Sequence, residues 1–195
     1  MTTWTEYWPN IMTELALHIL DIANNSTRAG AKNVAVTVSG DTVKDTLAIT
    51  VSDDGCGMDK QLLARVTDPF ATTRTTRKVG LGIPLFKQAA EFTGGGLKID
   101  SRPGEGTTVK AVFGLKHVDR VPLGRLGQTF ATLIGGAPDT EFSLVYELDG
   151  RKYEFSTREI RTVMDGVPLS EPEVSAYIGD MIDENIENIN GGQPI

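Results

Sequence analysis

The chain contains a single cysteine, Cys56. No intrachain disulfide framework can form, and a reducing compartment is the expected setting. Histidine is nearly as scarce, with only His18 and His117. No apolar run approaches the ~20 residues that span a bilayer. The opening MTTWTEYWPN has neither the basic nor the apolar region of a signal peptide. The expectation is a cytoplasmic protein with no membrane partner. An excess of basic charge is also missing. Residues 1–116 carry 13 Lys/Arg against 12 Asp/Glu, and residues 117–195 carry 6 against 14, for a total of −7. An acidic second half repels phosphate, which argues against a nucleic-acid partner. It suits either solubility or contact with a basic protein surface.

What is present is a chain of 195 residues with 39% hydrophobic side chains, enough for one core plus an appendage. Residues 1–10 read as a lead in which Trp4 and Trp8 are free to dock. From Ile11 to Arg28 apolar residues recur at helical spacing, and Gly30 stops the pattern. Two strands follow, Asn33–Val38 and Thr46–Val51, with a turn at Gly40-Asp41. Asp59 caps a short helix through Val66. Residues 69–79 form a loop rich in Thr and Arg. Gly82 opens a helix to Thr93, with Pro84 in its first turn. Strands Leu97–Ser101 and Thr107–Phe113 complete the first half. This order predicts an α+β fold, a two-layer sandwich with helices on one face of a mixed sheet.

The second half reads as separate, a small α+β extension. It comprises a helix over 123–134, a hairpin about Asp149-Gly150, and two further helices. Ser156-Thr157-Arg158-Glu159 and Ser170-Glu171-Pro172-Glu173 have the pattern of capping boxes that open those helices. The predicted organisation is a lead (1–10), a nucleotide-binding unit (11–116) and an acidic extension (117–195). The extension is offered as a partner or homodimer surface.

The chemistry concentrates in a few short runs. Asp53 follows an apolar strand and leads into Asp54-Gly55-Cys56-Gly57-Met58. A carboxylate there can accept a hydrogen bond from an exocyclic amine such as adenine N6. Glycines beside it let a planar base approach. Taken alone, the same residues make a plain Asp-Gly turn. Cys56 is expected to pack within this turn. Asp21 and Asn25 stand four apart on one helix face. The amide oxygen of Asn25 is a hard neutral ligand for Mg²⁺ carried by phosphates. The carboxylate of Asp21 can take a proton from an attacking hydroxyl or water. Taken alone, this pair is a solvated polar face. Gly80-Leu81-Gly82 opens a helix whose free N–H groups favour phosphate. Thr73, Arg74, Arg77 and Lys78 precede it, and their cations can offset phosphoryl charge. Thr107 can bond adenine or a bridging water.

Together these runs resemble the GHKL superfamily, the ATP-binding domains of gyrase, heat-shock chaperones, histidine kinases and MutL. Asn25-Ser26-Thr27-Arg28-Ala29-Gly30-Ala31 is similar to its N box. The Asp53–Met58 run resembles the G1 box, and Asp68–Arg74 the F box and lid of histidine kinases. Val79–Ile83 resembles the end of the G2 box, and Gly104–Thr107 the G3 box. The resemblance covers about residues 11–116. The full length also resembles small stand-alone histidine kinase-like ATPases.

The resemblance implies a Bergerat fold holding ATP and Mg²⁺. Asn25 would serve the metal and Asp53 the adenine. Gly55, Gly57, Met58, Thr73, Arg74, Arg77, Lys78, Gly80, Leu81, Gly82 and Thr107 would line the nucleotide. Asp21 would be the catalytic carboxylate, where ATP-hydrolysing relatives place Glu. Lys78 stands nearest the place of the usual first G2 glycine.

The phospho-accepting histidine that histidine kinases carry ahead of this unit has no counterpart among the ten or so residues preceding it here. His18, inside the first helix, is expected to pack rather than accept phosphate. Three functions follow. The first is transfer of the ATP γ-phosphoryl group to a protein acceptor in trans, as anti-sigma kinases do. The second is a slow ATPase switch, and the third a non-catalytic nucleotide sensor.

Overall fold

The computed structural model describes residues 13–66, 82–192 and 195. The element order is α1 (Leu15–Arg28), β1 (Asn33–Asp41), β2 (Thr46–Asp53), α2 (Lys60–Arg65), α3 (Gly82–Phe92), β3 (Gly96–Arg102) and β4 (Gly106–Gly114). It continues with α4 (Leu126–Gly136), β5 (Glu141–Leu148), β6 (Arg151–Ser156), α5 (Thr157–Val163) and α6 (Pro172–Asn190). The strands form one six-stranded mixed sheet in the order β3-β4-β2-β1-β5-β6. Only β1 and β5 run parallel; the other neighbours are antiparallel.

Alternation along each strand sends one set of side chains to a single covered face. Val36 of β1 lies beside Val51 of β2 and Leu144 of β5, and Val51 lies beside Val109 of β4. All are buried, with Ile19 and Ile22 of α1, Phe86 of α3, Phe130 of α4 and Ile182 of α6. The other face carries small and polar residues such as Ala35, Thr37, Ala48, Thr50, Ser52 and Ser143, and all are partly or fully exposed. One core therefore lies between the sheet and its helix layer.

The second half does not stand apart. β5 pairs with β1 along its whole length, and α4 packs on both α1 and α6. The core is continuous from Leu15 to Ile186. Alternation in Phe142–Glu147 announced one arm of a hairpin, but it carried no information about the strand on its other side.

The expected helix over 123–134 starts later, at Leu126. The carbonyls of Pro122 and Leu123 instead accept the first N–H groups of α1, from Leu15 at 2.9 Å and Ala16 at 2.8 Å. This backbone cap replaces the side-chain cap that α1 lacks. Neither expected capping box closes: Ser156 makes no side-chain cap bond, and the last helix is preceded by Glu171, which makes none either. Asp59 does cap α2, accepting from Leu62 N–H at 2.7 Å.

Candidate functional site

α1, the end of β2, the start of α3 and the β3–β4 hairpin converge at one end of the sheet. Asp53 is the last residue of β2, on the covered face. Its Oδ1 accepts from Gly55 N–H at 2.9 Å and from Thr107 N–H at 3.2 Å. Its Oδ2 accepts from the Ser26 hydroxyl at 2.5 Å. A carboxylate has about four acceptor positions, so this one is oriented by the protein and keeps capacity for one further donor.

Ser26 was absent from the sequence-predicted site. It is buried on α1, and its hydroxyl oxygen also lies 3.2 Å from the Ile22 carbonyl oxygen. The signal was a serine one residue past Asn25, on the apolar side of the helix.

The turn after Asp53 packs on protein. Gly57 has φ +65°, and a Cβ there would lie 1.9 Å from the Arg102 carbonyl oxygen. Its glycine requirement is thus explained by the β3–β4 hairpin as well as by backbone sign. Gly55 is also tight: a Cβ would sit 3.0 Å from Asp53 Oδ1 and 3.1 Å from Ala29. Met58 N–H donates to Ser101 Oγ at 2.8 Å, and Ser101 Oγ lies 2.9 Å from Thr107 Oγ1. Cys56, expected to pack within the turn, is exposed.

On α1, Asn25 Nδ2 lies 3.4 Å from Asp21 Oδ2, and Asn25 Oδ1 accepts from Arg28 at 3.3 Å. The Asp21 carboxylate abuts the first turn of α3: a Cβ at Gly82 would fall 1.8 Å from Asp21 Oδ2. Asp21, Asn25 and the start of α3 are thereby brought together. A single neutral amide oxygen suits Mg²⁺ that is bound chiefly by phosphates and water. Among the described residues no group of three His, Cys, Asp or Glu is placed to hold a metal, so a dedicated protein cage is not what these residues offer. Thr73, Arg74, Arg77, Lys78, Gly80 and Leu81 lie outside the described residues.

His18 is packed. Its ring stacks on Phe86 with centroids 5.1 Å apart, and its Nδ1 is buried without a hydrogen-bond partner. Burial drives its pKa down to about 4, against a smaller opposing pull from the Gly82 backbone. A neutral, enclosed imidazole is no accessible phospho-acceptor.

The extension reaches the turn that follows Asp53. Arg158 of α5 donates to Asn33 Oδ1 at 2.9 Å, and Asn33 Nδ2 donates to Asp54 Oδ2 at 2.6 Å. Asp54 Oδ1 also accepts from the N–H groups of Lys32 and Asn33. The Asn33 side chain first, then these backbone donors, hold the Asp54 carboxyl below its usual range. A hollow of about 390 Å³ between Ser52, Asp54, Ser143 and Arg158 opens on the uncovered sheet face.

The family profile described as histidine kinase-, DNA gyrase B- and HSP90-like ATPase matches residues 10–117, more than half of the chain. The chain belongs to this ATPase family. As a member it carries an ATP-binding domain. A non-motile and phage-resistance protein of Caulobacter vibrioides is 35% identical over 113 residues, covering 55% of this chain and 13% of that protein. Sporulation kinase C of Bacillus subtilis is 32% identical over 97 residues, covering 50% of this chain and 22% of the kinase. The chain thus spans under a quarter of the length of either relative. Among solved structures, the N-terminal domain of a DNA repair protein superposes with a TM-score of 0.50 at 15% identity. That match covers 82% of this chain and 59% of the other, and it shows a shared fold. Among the described residues, no helix is long and apolar enough to cross a membrane.

Proposed function

We propose that this ATPase-family protein transfers the γ-phosphoryl group of Mg²⁺-ATP to a side chain of another protein. The observation that carries the reading is the place of Asp21. It sits one helical turn before Asn25 and against the first turn of α3, and a helix start favours phosphate. Asp53, with its three internal donors, would accept from the adenine amine. Asn25 would hold Mg²⁺, and the ion would neutralise phosphate charge. Asp21 would take the proton of the acceptor hydroxyl as that oxygen bonds to phosphorus and ADP leaves. Arg74, Arg77 and Lys78 are proposed to offset charge on the transferred group.

The test is incubation with γ-labelled ATP and the proteins encoded beside it. Label on one of them, lost with Asp21→Asn while ATP still binds, supports the reading. Absence of label under every condition rejects it.

A second reading is a slow ATPase switch, favoured by the Arg158–Asn33–Asp54 connection from the extension to the turn beside Asp53. Phosphate released from ATP with no acceptor present, and abolished in Asp21→Asn, would select it. ATP binding with neither label transfer nor phosphate release would leave the sensor reading in its place.

A further inference from the structure

The sheet ends in β6, and the outer side of β6 pairs with no other strand among the described residues. Backbone polarity along that edge follows from the hairpin. β5 and β6 join through Asp149-Gly150, both with positive φ, so Leu148 and Arg151 flank a two-residue type I′ turn. Glu141 and Asp149 N–H donate to Lys32 and Gly40 carbonyls on the β1 side. Alternation then assigns the groups of Leu144, Tyr146 and Leu148 to β6, where they meet Phe155, Tyr153 and Arg151. The main-chain groups of Lys152 and Glu154 are left pointing out of the sheet. Their side chains are exposed, on the uncovered face, and paired with each other.

We infer that β6 is a self-association edge, whose occupant is β6 of a second copy of this chain in antiparallel, two-fold register centred on Tyr153. Three two-fold registers bring the outward groups of Lys152 and Glu154 into pairing range. Centring on Lys152 sets lysine opposite lysine. Centring on Glu154 sets glutamate opposite glutamate. Like charges directly opposite are destabilising. Centring on Tyr153 sets Lys152 opposite Glu154 twice, with both residues of each pair contributing outward N–H and C=O groups. A lysine on an edge strand ordinarily blocks pairing; here the acid two residues on turns the block into a choice of register. Two-fold symmetry closes the assembly at two copies and makes one twelve-stranded sheet. The opposite edge, β3, is flanked by α2, whose Leu63 shares one hollow with Asp100, Ser101 and Arg102.

A single strand pair buries less than the roughly 1,200 Å² of stable interfaces, so a dissociation constant on the order of 10–100 µM is expected. Sedimentation equilibrium of the full chain reads it. Lys152→Glu and Glu154→Lys, each placing like charges opposite twice, are expected to weaken the dimer by about tenfold or more. The double exchange restores it. In parallel, amide hydrogen exchange at Lys152 and Glu154 should slow as protein concentration rises, while exchange at Lys98 and Asp100 stays constant. That second measurement keeps the inference testable should a variant fold poorly. A wild-type monomer throughout this range overturns it. So does a dimer indifferent to both single reversals, or a double exchange that stays dissociated.

Discussion

At the scale of single residues, the site is a carboxylate held ready by neutral donors. Asp53 receives Gly55 N–H, Thr107 N–H and the Ser26 hydroxyl before any ligand arrives. A hydrogen bond to a charged group contributes ~1.5–3 kcal/mol. Ser26→Ala frees Asp53 Oδ2 to rotate and should weaken ATP binding by roughly tenfold, with a melting temperature lower by a few degrees. Under the proposed function, Asp53→Asn would set an amide N–H against the donating amine of adenine and should abolish binding. Calorimetric titration of both variants with ATP checks this; unchanged affinity in Ser26→Ala would mean that the two backbone donors alone orient Asp53. The gathering of Asp21, Asn25, Asp53 and Gly57 at one end of the sheet was legible because each residue type sits within a short run whose spacing has a physical meaning. The Arg158–Asn33–Asp54 chain was not, since Arg158 lies 125 residues from Asn33 and no local pattern marks the pairing.

His18 gives a second residue-scale prediction. Its folded pKa, about 4, is depressed from 6.5 by burial. The unfolded chain therefore binds the proton more readily than the folded chain. Stability from the neutral ring is complete above the unfolded value and is lost as pH falls from about 6.5 toward 4. Between pH 7 and pH 5 this group alone should cost about 2 kcal/mol. Urea denaturation at the two values reads the loss, and His18→Leu should flatten it. An equal loss in the variant would place the pH dependence elsewhere.

At the scale of elements, local rules set where helices and strands lie, and tertiary contacts set how they end. The Ser-x-x-Glu patterns before α5 and α6 marked the right places, yet neither forms its side-chain bond. At α5 the buried Thr157 hydroxyl turns instead to β5, accepting from Phe142 N–H at 2.9 Å and contacting the Glu141 carboxylate. At α6 the residue bordering the helix is Glu171, one position beyond the serine of the pattern. The α4–α6 crossing shows the same dominance of packing. A Cβ at Gly127 would lie 1.9 Å from the Gly179 carbonyl oxygen, and Gly127 N–H donates to Asp183 at 2.7 Å. Gly127→Ala must separate the two helices and should destabilise the protein by about 2 kcal/mol or more. Gly135, also in α4, has open space around it. Gly135→Ala should stabilise by about 0.5 kcal/mol. Urea midpoints of the two variants should move in opposite directions; an unchanged or raised midpoint for Gly127→Ala would reject the close crossing.

At the scale of the whole molecule, the ATPase-family match stops at residue 117, but the sheet does not. β1 is interior only because β5 lies alongside it, and the first turn of α1 is capped by Pro122 and Leu123. The sequence marked a change of composition near 117, chiefly in charge. Charge density is a surface property and is silent about which strand completes a sheet. A fragment ending at Lys116 would expose β1 as a full-length edge and uncover the side of α1 against which α4 packs. Flat unpaired edges and bare apolar helix faces lead to association. The fragment should therefore express insolubly, or as a loose state without cooperative unfolding, while the full chain unfolds in one transition. Near-ultraviolet circular dichroism and thermal scans compare them directly. A soluble 1–116 fragment that unfolds cooperatively and binds ATP would show that the acidic half is an addition to a self-sufficient domain; failure would show that half to be part of the scaffold holding Asp53 in place.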